Sequence, residues 1–417
     1  MTAAFDVVIV GSGNAGVSLA ARLRRDGVRS IALIDPNPLH RYRPMLNYAA
    51  GAGVSMGRYE RPMHKVVPEG VDLIPHAATA VDTENRTVSL DSGATVGYRD
   101  LVLCPGLTPQ WEAIPGLRDA FVDGWAVSAH VPEYAGRACA ALVRHREGTV
   151  VFSVPPEPAS CGGTVLKAMF LACDRWRKEG VLDHLEVHLV TPFAGVLGLE
   201  PTDSRLWPIL QDYGITVHQQ SRIGAVDHVA RTVTLDGPDA VVLEDVGLAY
   251  VTPHSRAPRF VADSGLAADS GLAASDTATL IDVDPQTLRH TRVGSVWGLG
   301  DAAAVGIRPS GGALRAQVPV VATNLLAARE RGATPGEKTA QAGTTTTGTT
   351  TTRYDGYTVI PIAVSRNRLL LDEHDRDGQP APSVRGIDLT RPRRMTYAFD
   401  RFVQPVVYFR KLLRGRV

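Results

Sequence analysis

Apolar runs and stretches of helical periodicity alternate along the first residues of the chain. Residues 6–10 (Asp-Val-Val-Ile-Val) form a run typical of a buried parallel strand, and residues 14–25 carry small and apolar side chains at helical spacing. A second apolar run over residues 30–34 predicts another strand, which ends at Asp35. A strand, a helix and a strand in this order indicate an α/β unit with a parallel sheet.

The same alternation starts again near residue 148, after an interval of shorter strands. Turn residues such as those at 91–93 (Asp-Ser-Gly) separate these short strands, as in a meander inserted into an α/β domain. The pattern predicts strands at 71–74, 87–90, 100–103, 149–154 and 185–190 and helices at 164–177 and 205–213. We therefore expect a second α/β unit after the first.

These patterns, together with the length of 417 residues, predict more than one domain. We expect an α/β fold with two Rossmann-like dinucleotide-binding domains. The first is formed by residues 1–110 and 280–332, and the second by residues 111–279. Residues 333–352 are rich in Thr and Gly and can bury little apolar surface, so they are predicted to form a flexible linker. Residues 353–417 are expected to form a C-terminal appendage.

Composition and charge argue against several partners and locations. The formal net charge is +1, and no basic run with interleaved aromatic residues occurs before the C-terminal tail. Both observations argue against nucleic acid as a partner. No stretch approaches the roughly 18 apolar residues of a membrane span. The chain enters a strand at once without a signal-peptide pattern, so we expect a cytoplasmic protein. The four scattered cysteines are predicted to be thiols, and no metal site is predicted.

The tail of the chain mixes aromatic and basic side chains. Residues 395–417 carry Tyr, Phe, Val and Leu among several Arg and one Lys. This mixture suits a peripheral contact with anionic lipid on the inner face of the membrane. The alternative is a tail that packs on the body of the protein or forms a contact in an oligomer.

A glycine-rich motif connects the first predicted strand to the first predicted helix. Residues 11–16 (Gly-Ser-Gly-Asn-Ala-Gly) fit GxGxxG. Gly11 permits the tight turn, Gly13 lets the backbone approach a pyrophosphate, and Gly16 allows close packing of helix on strand. Asp35 ends the second strand about 20 residues further on, where its carboxylate can accept hydrogen bonds from ribose hydroxyls. The context therefore indicates a dinucleotide site.

A second signature near the end of the α/β region identifies the dinucleotide. An apolar strand delivers Gly298, Gly300 and Asp301 in the pattern G-x-G-D. This pattern resembles the second FAD signature of the glutathione-reductase-like flavoproteins, in which the aspartate holds the ribityl chain. The resemblance extends through Gln317. The two signatures together favour FAD over NAD in the first domain, and the alternative for Asp301 is a helix cap.

The second α/β unit lacks the glycines that a nicotinamide dinucleotide needs. Its first strand is followed by residues 154–164 (Val-Pro-Pro-Glu-Pro-Ala-Ser-Cys-Gly-Gly-Thr), in which prolines remove amide donors from the turn. The next strand ends at Val190, before Thr191 and Pro192, without an acidic residue for the ribose. We therefore expect poor NAD(P)H binding and entry of electrons from another small-molecule donor.

Cys161 is the candidate for covalent chemistry. It lies just before a predicted helix, where the helix dipole and free amide donors are expected to lower the pKa of a thiol. A buried cysteine that only fills space is the alternative. His254 and His40 could carry protons near the flavin, and a solvated or packing histidine is the alternative for each.

The chain resembles the sulfide:quinone oxidoreductases, in the branch that includes the mitochondrial enzyme. The resemblance rests on residues 39–44 (Leu-His-Arg-Tyr-Arg-Pro), 161–163 (Cys-Gly-Gly), Lys167, 251–253 (Val-Thr-Pro), 281–284 (Ile-Asp-Val-Asp) and 354–357 (Tyr-Asp-Gly-Tyr). The resemblance implies oxidation of sulfide at FAD, transfer of electrons to a quinone near the C-terminal region, and a sulfur-carrying cysteine at position 161.

One departure from that family concerns the second cysteine. The family has a cysteine directly after its Gly-Asp signature, and this chain has Ala302. A sulfur bridge of the family kind cannot form without it. Either Cys161 alone takes sulfur from the donor and releases it to an external thiol, or the scaffold serves another reductant with Cys161 as a pocket wall. The rivals are an NAD(P)H-dependent flavin or quinone reductase and a flavoprotein that has lost turnover.

The motifs and the resemblance together predict the residues of the site. Cys161 and His254 are expected to act on the substrates. The residues expected to bind FAD are Gly11, Gly13, Asn14, Ala15, Gly16, Asp35, Pro36, Arg43, Pro44, Ala78, Gly106, Gly300, Asp301 and Gln317.

Overall fold

The computed structural model describes residues 3–238, 240–268, 280–332 and 351–416. Most of the predicted linker, residues 333–350, lies outside the described residues. The helices are α1 (Asn14–Arg25), α2 (Leu46–Ala52), α3 (Met63–Val66), α4 (Leu117–Asp123), α5 (Ala135–Arg144), α6 (Val165–Lys178), α7 (Thr202–Asp212), α8 (Arg259–Asp263), α9 (Leu314–Gly332), α10 (Arg394–Ala398) and α11 (Gln404–Arg410).

The strands include those that the sequence pattern predicts, and further strands that it does not predict lie between them. They are β1 (Ala3–Val10), β2 (Ile31–Ile34), β3 (Leu39–Arg41), β4 (Glu60–Pro62), β5 (Asp72–Ile74), β6 (Ala78–Asp82), β7 (Thr87–Leu90), β8 (Thr95–Leu103), β9 (Thr108–Gln110), β10 (Ala126–Val127), β11 (Gly148–Ser153), β12 (Leu185–Val190), β13 (Thr216–His218), β14 (Arg222–Asp227), β15 (Thr232–Asp236), β16 (Val242–Leu243), β17 (Val246–Val251), β18 (His254–Arg256), β19 (Val296–Gly298), β20 (Thr358–Ser365) and β21 (Arg368–His374).

The first sheet has seven strands and contains both ends of the predicted first domain. Its order is β5-β2-β1-β8-β7-β6, and β19 pairs with β8 in parallel. In register, Val10 lies opposite Ile34 and Leu103, and Leu103 lies opposite Gly298. The carboxyl ends of five parallel strands, β5 among them, therefore meet at one edge, where ligands bind in open α/β sheets. The last four residues of β1 are buried, as the apolar run predicted.

The second sheet has five parallel strands in the order β10-β17-β11-β12-β13. Helix α6 connects β11 to β12 and buries its aromatic residues Phe170 and Trp176 completely. The segment between Ser153 and Val165 carries Cys161 and leaves the carboxyl end of β11. The sheets thus present the glycine-rich turn and the Cys161 segment at their carboxyl edges.

The C-terminal residues form a hairpin and a broken helix. Strands β20 and β21 pair antiparallel. Helix α10 continues through a π-helical turn (Phe399–Val403) into α11, and a short 3-10 turn follows at Leu412–Arg414. This turn packs on α1 so closely that a Cβ at Gly415 would lie 2.5 Å from the amide nitrogen of Arg22. Across the described ranges, we find no helix with the length and apolarity of a membrane span.

Candidate active site

The turn between β1 and α1 is shaped by three glycines with different surroundings. Gly11 has a φ of +102°, and a Cβ there would lie 2.2 Å from the carbonyl oxygen of Cys104. A Cβ at Gly16 would lie 1.9 Å from the carbonyl oxygen of Gly11. By contrast, a Cβ at Gly13 would meet nothing within 4 Å. Gly11 and Gly16 are therefore needed for packing, while Gly13 leaves its backbone open to a ligand.

Asp35 follows β2 and lies beside this turn. Its Oδ2 accepts a hydrogen bond of 2.7 Å from the amide of Ser12, and its Oδ1 accepts one of 2.8 Å from the amide of Asn37. The neighbouring Pro36 is exposed. Ala78, at the start of β6, follows the end of β5, whose Ile74 carbonyl accepts a bond from the amide of Asp35. An acceptor for ribose hydroxyls thus stands next to the glycine turn.

The G-x-G-D signature lies against the glycine-rich turn. A Cβ at Gly300 would lie 3.5 Å from the Cβ of Ala15. The amide of Gly300 donates a 2.9 Å hydrogen bond to Oε1 of the buried Gln317. The Oδ2 of Asp301 accepts a 2.5 Å bond from the hydroxyl of Ser160, next to Cys161. Asp301 therefore joins the first sheet to the Cys161 segment.

Few side chains line the space between the glycine-rich turn and Asp301. A Cβ at Gly106 would meet nothing within 4 Å, and one at Gly311 would lie 3.8 Å from Nδ2 of Asn14 and 3.9 Å from Cγ of Pro44. The side chain of Arg43 extends to the second domain, where its Nη2 donates a 2.9 Å hydrogen bond to the carbonyl of His130. Glycines open to the solvent, an acid beside the turn and a second acid further along fit an extended dinucleotide such as FAD.

Cys161 has a left-handed backbone, with a φ of +52°. Its amide donates a 3.2 Å bond to the carbonyl of Pro309, and its carbonyl accepts a 2.7 Å bond from the hydroxyl of Thr164. The Nε2 of His130 lies 3.5 Å from the same carbonyl. The backbone of Cys161 is thus held between the second domain and the loop that follows the second signature.

The expected low pKa of Cys161 is wrong for this structure. Burial, followed by the nearby carboxylate of Asp301, raises the pKa of its thiol to about 12. The amide of Gly311 and the cations of Arg43 and Lys167 act in the opposite direction. Residues 162–164 form a 3-10 turn that leads directly into α6, and the place of Cys161 before this helix does not offset the effect of burial. The thiol becomes nucleophilic only with help from the groups around it.

Two titratable residues of the site are not among those predicted from the sequence: His130, which contacts Cys161, and Glu157, which lies four residues before Cys161 in the chain. Burial, together with Arg43, lowers the pKa of His130 to about 4, so this ring is neutral. Burial raises the pKa of Glu157 to about 7, and Asp301 adds to this rise, while Arg308 and the amide of Ala159 oppose it. In the sequence, Glu157 is marked by its position among the prolines of the Cys161 segment. No local sequence pattern indicates His130, because its contact with Cys161 arises only in the tertiary fold.

The two histidines singled out from the sequence lie elsewhere. His254 lies on β18, opposite Gln110 of β9, so its proposed role as a proton carrier remains a prediction. His40 is buried, with Nδ1 3.1 Å from the carbonyl of Ser12 and Nε2 2.6 Å from the hydroxyl of Tyr408. Burial lowers the pKa of His40. His40 therefore attaches the C-terminal helix to the glycine turn.

The fold and this site together define the class of the protein. It is an FAD-dependent oxidoreductase with two dinucleotide-binding domains. A family model described as pyridine nucleotide-disulphide oxidoreductase matches residues 5–146. The match contains the glycine turn, Asp35 and the meander of the first sheet.

The resemblance to the sulfide:quinone oxidoreductases is confirmed over nearly the full length. The chain is 25% identical to the mitochondrial sulfide:quinone oxidoreductase of Mus musculus, over 99% of this chain and 87% of the relative. The structure of the sulfide:quinone oxidoreductase of Aquifex aeolicus matches with a TM-score of 0.77 at 16% identity, covering 99% of this chain and 92% of that one.

A further structural match comes from a large assembly. A chain in the mitochondrial ATP synthase of Tetrahymena thermophila matches with a TM-score of 0.78 at 19% identity, covering 100% of this chain and 97% of that one. Identities this low show a shared fold. Both structural matches therefore show the fold alone, and each covers nearly the whole of this chain.

Proposed function

We propose that the protein oxidises sulfide, or another small sulfur donor, at Cys161 and passes two electrons through FAD to a quinone. The observation that carries the proposal is the position of Cys161. Its segment is hydrogen-bonded to Asp301 of the second signature through Ser160 and to the loop after that signature through Pro309. A thiol held in this way stands next to the groups that would bind the flavin.

The proposed binding of FAD assigns a part of the cofactor to each group. Gly11, Gly13 and Gly16, with Asn14 and Ala15 at the start of α1, would receive the pyrophosphate. Asp35 would accept bonds from the ribose, with Pro36 and Ala78 beside it. Asp301 and Gly300, supported by Gln317, would hold the ribityl chain, and Gly106, Arg43 and Pro44 would border the ring. Bound FAD supplies an acceptor for two electrons next to the thiol.

A single cysteine suffices for a balanced reaction. Hydrogen sulfide, an external thiol and a quinone together contain the atoms of one persulfide and one quinol. Cys161 would hold the sulfur atom between its oxidation and its transfer to the external thiol. Ala302, which stands where the family has a second cysteine, leaves this task to Cys161. Release to an external thiol is therefore part of the proposal.

Proton transfer needs a group that titrates near neutral pH. The carboxyl of Glu157 meets this requirement, because its pKa is about 7 and it lies in the same segment as Cys161. We propose that it accepts the proton that leaves the thiol or the donor. His254 is kept as a second candidate on the strength of its position after Thr252 and Pro253.

We further propose that the C-terminal helix touches a membrane surface, where a lipid-soluble quinone is available. Its exposed apolar side chains follow helical spacing, so they form one stripe, which consists of Met395, Phe399, Phe402, Val403 and Val406. Exposed Arg394, Arg410 and Lys411 flank this stripe. Apolar residues with basic neighbours suit anionic lipid.

Replacing Phe402 with Asp tests this contact. We expect binding to anionic phospholipid vesicles to fall at least tenfold, since an exposed aromatic ring contributes about 1.5–3 kcal/mol when it enters an apolar phase. Sedimentation with vesicles measures the binding. Val229→Asp is the matched control, because Val229 is 81% exposed in another part of the chain. Equal binding of the Phe402→Asp variant and the wild type would contradict the membrane contact.

The donor is tested by anaerobic mixing of the FAD-loaded protein with sulfide and, separately, with NADH. We expect sulfide to bleach the flavin absorbance rapidly and NADH to leave it unchanged, and we expect a soluble ubiquinone analogue to restore the absorbance. Bleaching by NADH alone would favour the rival NAD(P)H-dependent reductase. A flavin unchanged by sulfide, thiols and NADH would favour the rival flavoprotein without turnover.

A further inference from the structure

A buried ion pair connects the C-terminal segment to helix α6. The Nζ of Lys167 lies 2.9 Å from Oδ2 of Asp400, and the two side chains are 1% and 10% exposed. The hydroxyl of Tyr48 donates a 2.7 Å bond to the same carboxylate oxygen. The Lys167 ammonium also lies 4.6 Å from the centre of the Tyr48 ring. The Lys167 ammonium and the Tyr48 hydroxyl are therefore both hydrogen-bonded to the carboxylate of Asp400, away from solvent.

The local backbone brings Asp400 inward. It lies in the π-helical turn (Phe399–Val403), whose outer side chains belong to the exposed apolar stripe. Such turns occur often at functional sites. A buried ion pair is commonly no more stabilising than apolar residues of similar size, so its presence points to a role other than stability.

Hydrogen bonds connect Cys161 to the start of helix α6, which carries Lys167. Thr164, one helical turn before Lys167, donates its hydroxyl to the carbonyl of Cys161 and accepts a 3.0 Å bond from Nδ2 of Asn47, the neighbour of Tyr48. The charged groups that act on the thiol are Asp301, which disfavours the thiolate, and Arg43 and Lys167, which favour it. Lys167 thus forms an ion pair with the carboxylate of Asp400 and also acts electrostatically on the thiol of Cys161.

We propose that Asp400 is a positioning residue for Cys161: its carboxylate fixes the buried Lys167 ammonium in place, so that this cation stabilises the anionic sulfur of Cys161. Without Asp400, the Lys167 ammonium would lose its ion-pair partner and its fixed position, and its support for the thiolate would weaken. The inference rests on the proposed role of Cys161 as the reactive thiol.

The test measures how fast a small thiol reagent, iodoacetamide, alkylates Cys161 in the FAD-loaded protein. The rate is followed on the Cys161 peptide by mass spectrometry from pH 6 to 10. In Asp400→Asn we expect alkylation to slow about tenfold at each pH, which corresponds to a rise of about one unit in the pKa of Cys161. Lys167→Met should slow it equally, the double variant should add nothing, and Asp400→Glu should restore most of the rate.

Controls separate this effect from damage to the fold. The double variant Asp400→Leu with Lys167→Met replaces the pair by apolar residues and should keep the melting temperature while alkylation stays slow. Asp174→Asn is the matched control, because Asp174 lies on the same helix and pairs with Arg366 of the C-terminal hairpin at 2.7 Å. It should leave the alkylation rate unchanged.

Faster alkylation in Asp400→Asn would overturn the inference, because Asp400 would then act as a repelling anion. An unchanged rate would overturn it as well. The outcome is independent of the donor. If the expected slowing appears while sulfide fails to reduce the wild-type flavin, the positioning role stands and the proposed donor is wrong.

Discussion

Replacing Gly13 with Ala is expected to reduce FAD binding by at least a hundredfold while leaving the stability of the apoprotein nearly unchanged. A Cβ at this position meets no protein atom within 4 Å, and the backbone φ is −66°, which alanine adopts readily. The new methyl group would instead occupy the space through which a pyrophosphate reaches the helix amides. Titration of the apoprotein with FAD, followed by flavin fluorescence, measures the loss.

Gly16→Ala is the matched comparison for this prediction. Its Cβ would overlap the carbonyl oxygen of Gly11, so α1 would have to move away from the turn. We expect the free energy of unfolding to fall by about 1–3 kcal/mol or more. Chemical denaturation of both apo variants separates the two effects. Normal FAD affinity in Gly13→Ala would show that the ligand does not approach this turn.

Replacing Cys161 with Ala is expected to slow reduction of the flavin by sulfide about a thousandfold or more, since removal of a covalent catalyst has effects of this order or larger. The fold should change little, because the side chain differs by one sulfur atom. Stopped-flow absorbance under anaerobic conditions measures the rate. After photoreduction, oxidation of the flavin by a soluble ubiquinone analogue should proceed at the wild-type rate, because that step does not use the thiol.

Cys139→Ala serves as the control for Cys161→Ala. Cys139 lies on α5 and is partly buried, and burial raises the pKa of its thiol as well. We expect the control to reduce at the wild-type rate. If Cys161→Ala also reduces normally, Cys161 is a pocket wall and the scaffold serves a reductant that needs no thiol.

The elements that position the site follow local patterns, and for that reason the sequence predicts them well. Helix α1 begins and ends at the predicted residues, Asn14 and Arg25, and the strand before Asp35 differs by one residue. The glycines of the first turn and the G-x-G-D signature are short motifs, so their placement needs no knowledge of the tertiary fold.

The electrostatics of the site could not be predicted in the same way. A thiol before a helix was expected to have a low pKa, but its value depends on burial and on Asp301, which lies 140 residues further along the chain. The pair of Lys167 and Asp400 spans 233 residues. No local pattern marks Asp400 as buried, because the residues beside it form an exposed apolar stripe. Such contacts arise only when distant segments pack together.

The most direct test of the account is the mass of the Cys161 peptide after anaerobic addition of one equivalent of sulfide to the FAD-loaded protein. We predict that the flavin becomes reduced and that Cys161 carries one additional sulfur atom, which an added thiol removes. Reduction of the flavin without sulfur on Cys161, or with sulfur on another cysteine, would contradict the proposed chemistry.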